Sequence, residues 1–170
     1  MVVTCAHEDR KGSMMDKQRF AEEVQSLLPT LYRVSMSILR SDADAQDAVQ
    51  QSLMKAWNKR EFARAEGFHA WVTRIVIHEC RNIQRNQMRV VPMDVMYEQQ
   101  GYQPPDMDLS EAVHTLPENL RIPFMLKYSE GYSEKEIVVA LRLPLPTVKN
   151  RLYRARHALE KALRAEVSYQ

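Results

Sequence analysis

Glycine is scarce in this chain, with 4 in 170 residues, and so are aromatics, with 2 Trp, 7 Tyr and 4 Phe. That is a poor supply for a β-rich design, which draws on turn glycines and on aromatic strand residues. The only cysteines are Cys5 and Cys80, too far apart for metal-ligand spacing. A reducing cytoplasm fits this better than a disulfide framework. No segment approaches the ~20 apolar residues of a membrane helix. Residues 1–13 lack the apolar stretch of a secretory signal. Catalytic signatures are missing too: there is no glycine-rich phosphate loop and no triad-like constellation. His69, His114 and His157 are scattered, while His78 and Cys80 fall on different faces of a helix. The expectation is a cytoplasmic protein that is not an enzyme and needs no metal or other cofactor.

Hydrophobic residues make up 45% and charged residues 27%, enough for a folded core. The periodic stretches are rich in Ala, Leu, Arg, Gln, Met and Glu, which helices prefer. Apolar residues recur at helical rather than strand spacing. Helices are predicted over 16–39, 43–59, 67–88, 109–114, 117–129, 133–141 and 145–165, with Ser41 or Asp42 capping the second. Pro117 suits a first helical turn, Gly131 a helix stop, and Ser133 with Glu136 a capping box. Residues 90–108 hold Pro92, Gly101, Pro104 and Pro105 without regular period. The predicted class is all-α, with two small domains over 16–89 and 109–170 and an acidic linker over 90–108. A disordered leader over 1–15 precedes them. Arg10-Lys11-Gly12 can be encoded by purine-rich codons resembling a ribosome-binding site, so a start at Met14 or Met15 is an open alternative to Met1.

The net charge of +2 hides a segregation. Residues 142–164 carry seven Lys or Arg against Glu160, residues 67–90 carry four Arg against Glu79, and residues 91–112 carry five acids and no base. In the first of these basic stretches, SEKEIVVALRLPLPTVKNRLYRAR (133–156) has helix-turn-helix spacing. Val148, Leu152, Ala155, Leu159 and Leu163 fall on the core side of its second helix; Asn150, Tyr153, Arg154 and His157 fall opposite, with Lys149 at one edge. Such a helix enters a major groove with its N-terminal turns against base edges. Arg154 suits guanine, Asn150 adenine or a phosphate, and Tyr153 a sugar or thymine methyl. Lys149, Arg151 and Arg156 suit phosphates. A single glutamate cannot pair seven bases, which argues against a merely solvated helix face.

Two further faces lie upstream. On 43–59, Asp44, Asp47, Gln51, Met54 and Asn58 oppose an apolar side of Ala45, Ala48, Val49, Ser52, Leu53 and Ala56. This acid–amide stripe with an exposed methionine suits a protein partner, and a plain solvated face is the alternative. On 67–88, Phe68, Val72, Ile75, Val76 and Ile83 point inward. Arg74, His78, Arg81, Arg85 and Arg89 line another side, bordered by Trp71 and preceded by Phe62. Cations interleaved with rings suit unstacked nucleic acid, although Trp71 and Phe62 fit equally well as core residues.

Taken together and in order, these residues resemble a bacterial sigma factor of the extracytoplasmic function (ECF) group of the sigma-70 family, over roughly residues 20–165. DADAQDAVQQSLMKAW (42–57) is similar to region 2.2, which binds the β′ clamp helices of RNA polymerase. EGFHAWVTRIVIHECRNIQR (66–85) is similar to regions 2.3 and 2.4, which melt and read the −10 element. LPENLRIPFMLKYSEGYSEKEIVVAL (116–141) and TVKNRLYRARHAL (147–159) are similar to region 4 and its −35 recognition helix. The resemblance implies polymerase contacts at Asp47 and Gln51, with Asp44 and Met54 beside them. It implies capture of a flipped −10 base by Phe62, Ala63, Arg64, Ala65 and Glu66, with Trp71, Arg74, His78, Arg81 and Arg85 on the −10 helix. The −35 readers would be Lys149, Asn150, Tyr153 and Arg154 with Thr147 and Arg151, and Lys127 would touch backbone. Implied partners are promoter DNA, core polymerase (β′ clamp helices and β flap) and an anti-sigma factor, in this family often membrane-anchored. The acidic linker would thread near the RNA exit path. His78, Arg142, Pro146 and Asn150 depart from the family's usual Asn, Gly, Gly and Ser. A stand-alone helix-turn-helix regulator and a helical protein-interaction module are the other readings.

Overall fold

Side-chain caps set where the helices begin. Asp16 accepts the Arg19 N–H at 2.8 Å and opens α1, Lys17–Leu39. Ser41 opens α2, Asp42–Asn58. Ser133 opens α6, Glu134–Leu141, through a complete capping box with Glu136. Each cap satisfies amide donors that the first helical turn leaves unpaired. In the computed structural model, which describes residues 15–90 and 109–167, the other elements are a 3-10 turn at Arg60–Phe62, α3 at Phe68–Val90, α4 at Leu109–Thr115, α5 at Glu118–Tyr128 and α7 at Leu145–Val167. Of the expected leader over 1–15 and acidic linker over 90–108, all but Met15 and Val90 lie outside the described residues. Among those residues the fold is all-α.

The predicted helix ends agree with these to within about two residues. One proline sits differently from the sequence expectation. Pro117 is the N-cap of α5 rather than its first helical residue. Pro146 lies inside the first turn of α7, where a missing N–H leaves no carbonyl unpaired. The turn between α6 and α7 closes on Arg142, which holds φ +54° and sends its N–H to the Val138 carbonyl. A glycine takes this left-handed conformation freely, whereas a side chain costs about 1–2 kcal/mol.

Helices α1, α2 and α3 pack on one another and bury Leu31, Val34, Ala48, Ala56, Phe68, Val72 and Val76. The predicted inward sides of α2 and α3 are inside, with Leu53, Ile75 and Ile83 at the margin. α5 and α7 pack together around Leu120, Ala155 and Leu159. The two helical sets do not stand apart: α6 lies on α3 and α5 on α1, so Ile122, Leu126, Tyr132 and Ile137 belong to the same core cluster as the first three helices. Sequence periodicity located both apolar sides but carried no sign of this docking.

Candidate nucleic-acid and polymerase interfaces

The dry side of α7 is the one its spacing predicts: Val148, Leu152, Ala155 and Leu159 are buried, and Leu163 is half-buried. This anchors the helix so that Lys149, Asn150, Tyr153, Arg154 and His157 all face outward. Tyr153 is 55% exposed and its ring meets the His157 edge at 4.3 Å, which presets its direction. Lys149 lies 3.9 Å from the Glu134 carboxylate, a loose surface pair that phosphate would displace at little cost. Thr147 lies in the first turn of α7, its N–H on the Pro144 carbonyl, and Arg151 of α7 and Lys127 of α5 are half-buried.

The loop ahead of α3 presents Phe62 almost bare, at 85% exposure, so the core reading of this ring does not hold. Arg64 and Glu66 are exposed beside it, and Ala65 is half-buried. Ala63 is turned inward. Its methyl is buried and its N–H closes the 3-10 turn on the Arg60 carbonyl, so it anchors the loop and offers no side chain to a base. Trp71 is half-buried, tilted against Phe68 at 5.9 Å, which joins it to the core while one part stays open. Along α3, Arg74 and Arg81 are half-buried and His78 and Arg85 exposed. Arg74, His78 and Arg81 line a cleft of about 530 Å³ together with Lys55 and Lys59 from the α2 end and Arg142 from the α6–α7 turn. Its floor is apolar, formed by Ile75, Ile77 and Leu141. Glu79, also on this cleft, is ion-paired with Lys55.

On α2, Asp47 and Gln51 are one turn apart and joined, with Gln51 Nε2 donating to Asp47 at 2.7 Å. Met54 continues the face at 63% exposure. Asp44 is less free, being half-buried and accepting from Gln87 Nε2 of α3 at 2.9 Å. The three predicted faces are therefore on three different helices, and the structure does not gather them into one site. Among the described residues no group of His, Cys, Asp and Glu side chains is placed to hold a metal ion, and no helix is long and apolar enough to cross a membrane.

The family models "Sigma-70 region 2" and "Sigma-70, region 4" match residues 24–90 and 106–159. The ECF RNA polymerase sigma-E factor of Haemophilus influenzae is 30% identical over 176 residues, covering 91% of this chain and 89% of that protein. This chain is an ECF sigma factor of the sigma-70 family. The RNA polymerase sigma-H factor of Pseudomonas aeruginosa is 26% identical, covering 87% of this sigma factor and 88% of its own length. The sigma factor RpoE of Bartonella quintana, solved in complex with the anti-sigma factor NepR, superposes with a TM-score of 0.69 at 26% identity, covering 86% of this chain and 98% of that one. CnrH, solved with the cytosolic domain of CnrY, shares the fold at a TM-score of 0.64 and 22% identity.

What sequence reasoning missed in this sigma factor is a polar seam between its region 2 and region 4 helices. Glu130, after α5, is held by Arg33 and Thr30 of α1. The Arg33 guanidinium, and then the Thr30 hydroxyl, keep the Glu130 carboxyl below the usual carboxylate range. The Tyr132 and Thr73 hydroxyls share a hydrogen bond at 2.8 Å, and burial pushes the Tyr132 phenol up. Arg121, only 5% exposed, donates to the Ser37 carbonyl at 2.9 Å, and burial lowers its pKa. A buried Arg in a short helix and an acid beside Gly131 are visible in the sequence, but their partners are about 80 to 100 residues away along the chain.

Proposed function

We propose that this sigma factor docks on core RNA polymerase through the Asp47–Gln51–Met54 face of α2 and directs promoter-specific initiation. In this reading α7 enters the major groove of the −35 element with Asn150, Tyr153 and Arg154 toward the bases. Phe62 and the basic side of α3 then hold an unstacked base of the −10 element. Extruding that base costs a few kcal/mol, which ring stacking and phosphate contacts offset. Thr147, Lys149, Arg151 and Lys127 supply backbone contacts. The observation carrying the proposal is α7 itself: four buried apolar residues hold it firmly while its opposite face leaves an amide, a phenol and a guanidinium exposed together.

The sigma factor contributes recognition and strand capture, and the phosphoryl chemistry belongs to the polymerase, so no cofactor is required. It acts in the cytoplasm, where promoters and polymerase are. An anti-sigma factor is the expected restraint, as the NepR-bound neighbour suggests by analogy. Run-off transcription on genomic fragments with purified core polymerase is the test. The expected result is initiation at defined starts only when this chain is added. Duplex binding by the chain with no polymerase-dependent start is the behaviour of a stand-alone regulator and overturns the proposal.

A further inference from the structure

We infer that Asn82 is a positioning residue for base choice: it fixes the tautomer of His78, so that this ring offers DNA a hydrogen-bond donor and not an acceptor. The inference rests, for its consequence, on the reading that this side of α3 faces the −10 element. The tautomer itself is a property of the chain alone.

His78, Asn82 and Arg85 follow one another at single-turn steps along α3. Asn82 is half-buried, and His78 and Arg85 on either side of it are exposed. Arg85 Nη2 donates to Asn82 Oδ1, and Asn82 Nδ2 lies 3.2 Å from His78 Nδ1. These contacts allow one assignment of hydrogens. A guanidinium donates and cannot accept, so it requires the amide oxygen and settles which way the Asn82 side chain is turned. The amide NH2 is then left for His78, and an NH2 group only donates. His78 Nδ1 is therefore the acceptor and carries no hydrogen. A neutral imidazole with a bare Nδ1 holds its hydrogen on Nε2. Through Asn82, Arg85 dictates the state of a ring about two helical turns away.

Nε2 is the nitrogen that remains for a partner. It has no hydrogen-bond partner among the described residues. The five Lys and Arg side chains that line the cleft with His78 cannot accept from it. The carboxylate there, Glu79, is ion-paired with Lys55. The Nε2–H is thus available to an acceptor brought from outside. On the major-groove edge, guanine offers N7 and O6, adenine N7 and thymine O4, whereas cytosine offers only its N4 amino donor. His78 in this tautomer discriminates against cytosine. A ring without the Asn82 contact samples both tautomers and meets cytosine through a bare Nε2 as readily as it meets the others through Nε2–H.

Nitrogen-15 NMR of the full-length chain reads the tautomer directly, at about pH 8, where a histidine ring ordinarily holds a single hydrogen. In the wild type, His78 should show the Nε2–H form alone. Asn82→Asp is the decisive change. The carboxylate keeps the shape of the amide but only accepts, so it takes Arg85 on one oxygen and a His78 Nδ1–H on the other. The His78 signals should invert to the Nδ1–H form. Asn82→Ala, a substitution that favours the helix, should give both forms together. Base choice is read with holoenzyme on a promoter mapped by run-off transcription, with each base placed in turn at each −10 position. At one position cytosine should be disfavoured about fivefold, the worth of one neutral hydrogen bond. His78→Ala should abolish that preference, and Asn82→Asp should reverse it in favour of cytosine. The added negative charge weakens binding to all bases alike, so the ratio between bases is the reading. A wild-type ring in both tautomers, or no inversion in Asn82→Asp, overturns the relay. Inversion with an unchanged base ratio overturns its role in base choice. The spectra need neither polymerase nor DNA, so failure of the relay is distinguishable from failure of the sigma-factor reading in run-off transcription.

Discussion

Replacing Phe62 by alanine separates function from stability better than any other single change. The ring is 85% exposed at the end of a 3-10 turn, and no core residue depends on it. Its removal should therefore shift folding stability by less than about 0.5 kcal/mol. If the ring stacks on an unstacked −10 base, the same change removes about 1–3 kcal/mol of stacking. At 1.4 kcal/mol per tenfold, that is roughly a 5- to 150-fold loss of affinity. The assay is competition binding of a single-stranded −10 oligonucleotide to holoenzyme, with permanganate reactivity of unpaired thymines reporting open complex on a full promoter. Binding to duplex −35 DNA and the thermal midpoint should be unchanged, and Phe62→Tyr should restore most of the affinity by returning a ring. Wild-type affinity in Phe62→Ala refutes the reasoning. So does an equal loss on −35 duplex, since that would mean the change acts through the fold.

Three further outcomes follow from the geometry. Arg154→Ala should cost about 1–3 kcal/mol at one −35 base pair and relax discrimination there; a uniform loss on all sequences would make Arg154 a phosphate contact. Arg142→Gly removes a side chain from a left-handed position, φ +54°. The relief of about 1–2 kcal/mol, less glycine's extra flexibility in the unfolded chain, should leave a net gain of about 0.5–1 kcal/mol. Calorimetry should show a higher thermal midpoint for this variant than for Arg142→Ala; the reverse order would contradict the strain. Burial pushes the Cys80 thiol from its ordinary 9.0 up to about 11. Because the folded pKa is the higher one, the unfolded chain loses its proton first. Stability is therefore unaffected below about pH 9 and falls by up to about 2–3 kcal/mol as pH rises towards 11. Urea midpoints at pH 8 and pH 11 should show that loss, and Cys80→Ala should show less of it.

The predicted faces and the observed ones agree where a local rule governs. A helix side is decided by which residues recur every three or four positions, so the buried row Val148, Leu152, Ala155 and Leu159 and the exposed Asn150, Tyr153 and Arg154 were legible before any fold was known. The capping box at Ser133 was legible for the same reason, because donor and acceptor are three residues apart. The burial of Ala63 was not legible. A small residue in a polar loop carries no periodic signal, and only the packing of the 3-10 turn shows that its methyl points inward. Phe62 and Trp71 stayed undecided from sequence for a related reason: an aromatic next to a turn serves core or surface equally well until its neighbours are placed.

By itself, then, the sequence determined the all-α class, the helix limits to within about two residues, the segregated charge and the outward face of the reading helix α7. All of these follow from interactions spanning one or two helical turns. The tertiary structure alone decided how the two helical sets meet: Glu130 on Arg33 and Thr30, Tyr132 on Thr73, Arg121 on the Ser37 carbonyl. Those partners are separated by 59 to 100 positions along the chain. No local periodicity encodes such pairs, because the hydrogen bonds form only once two already folded surfaces are brought together.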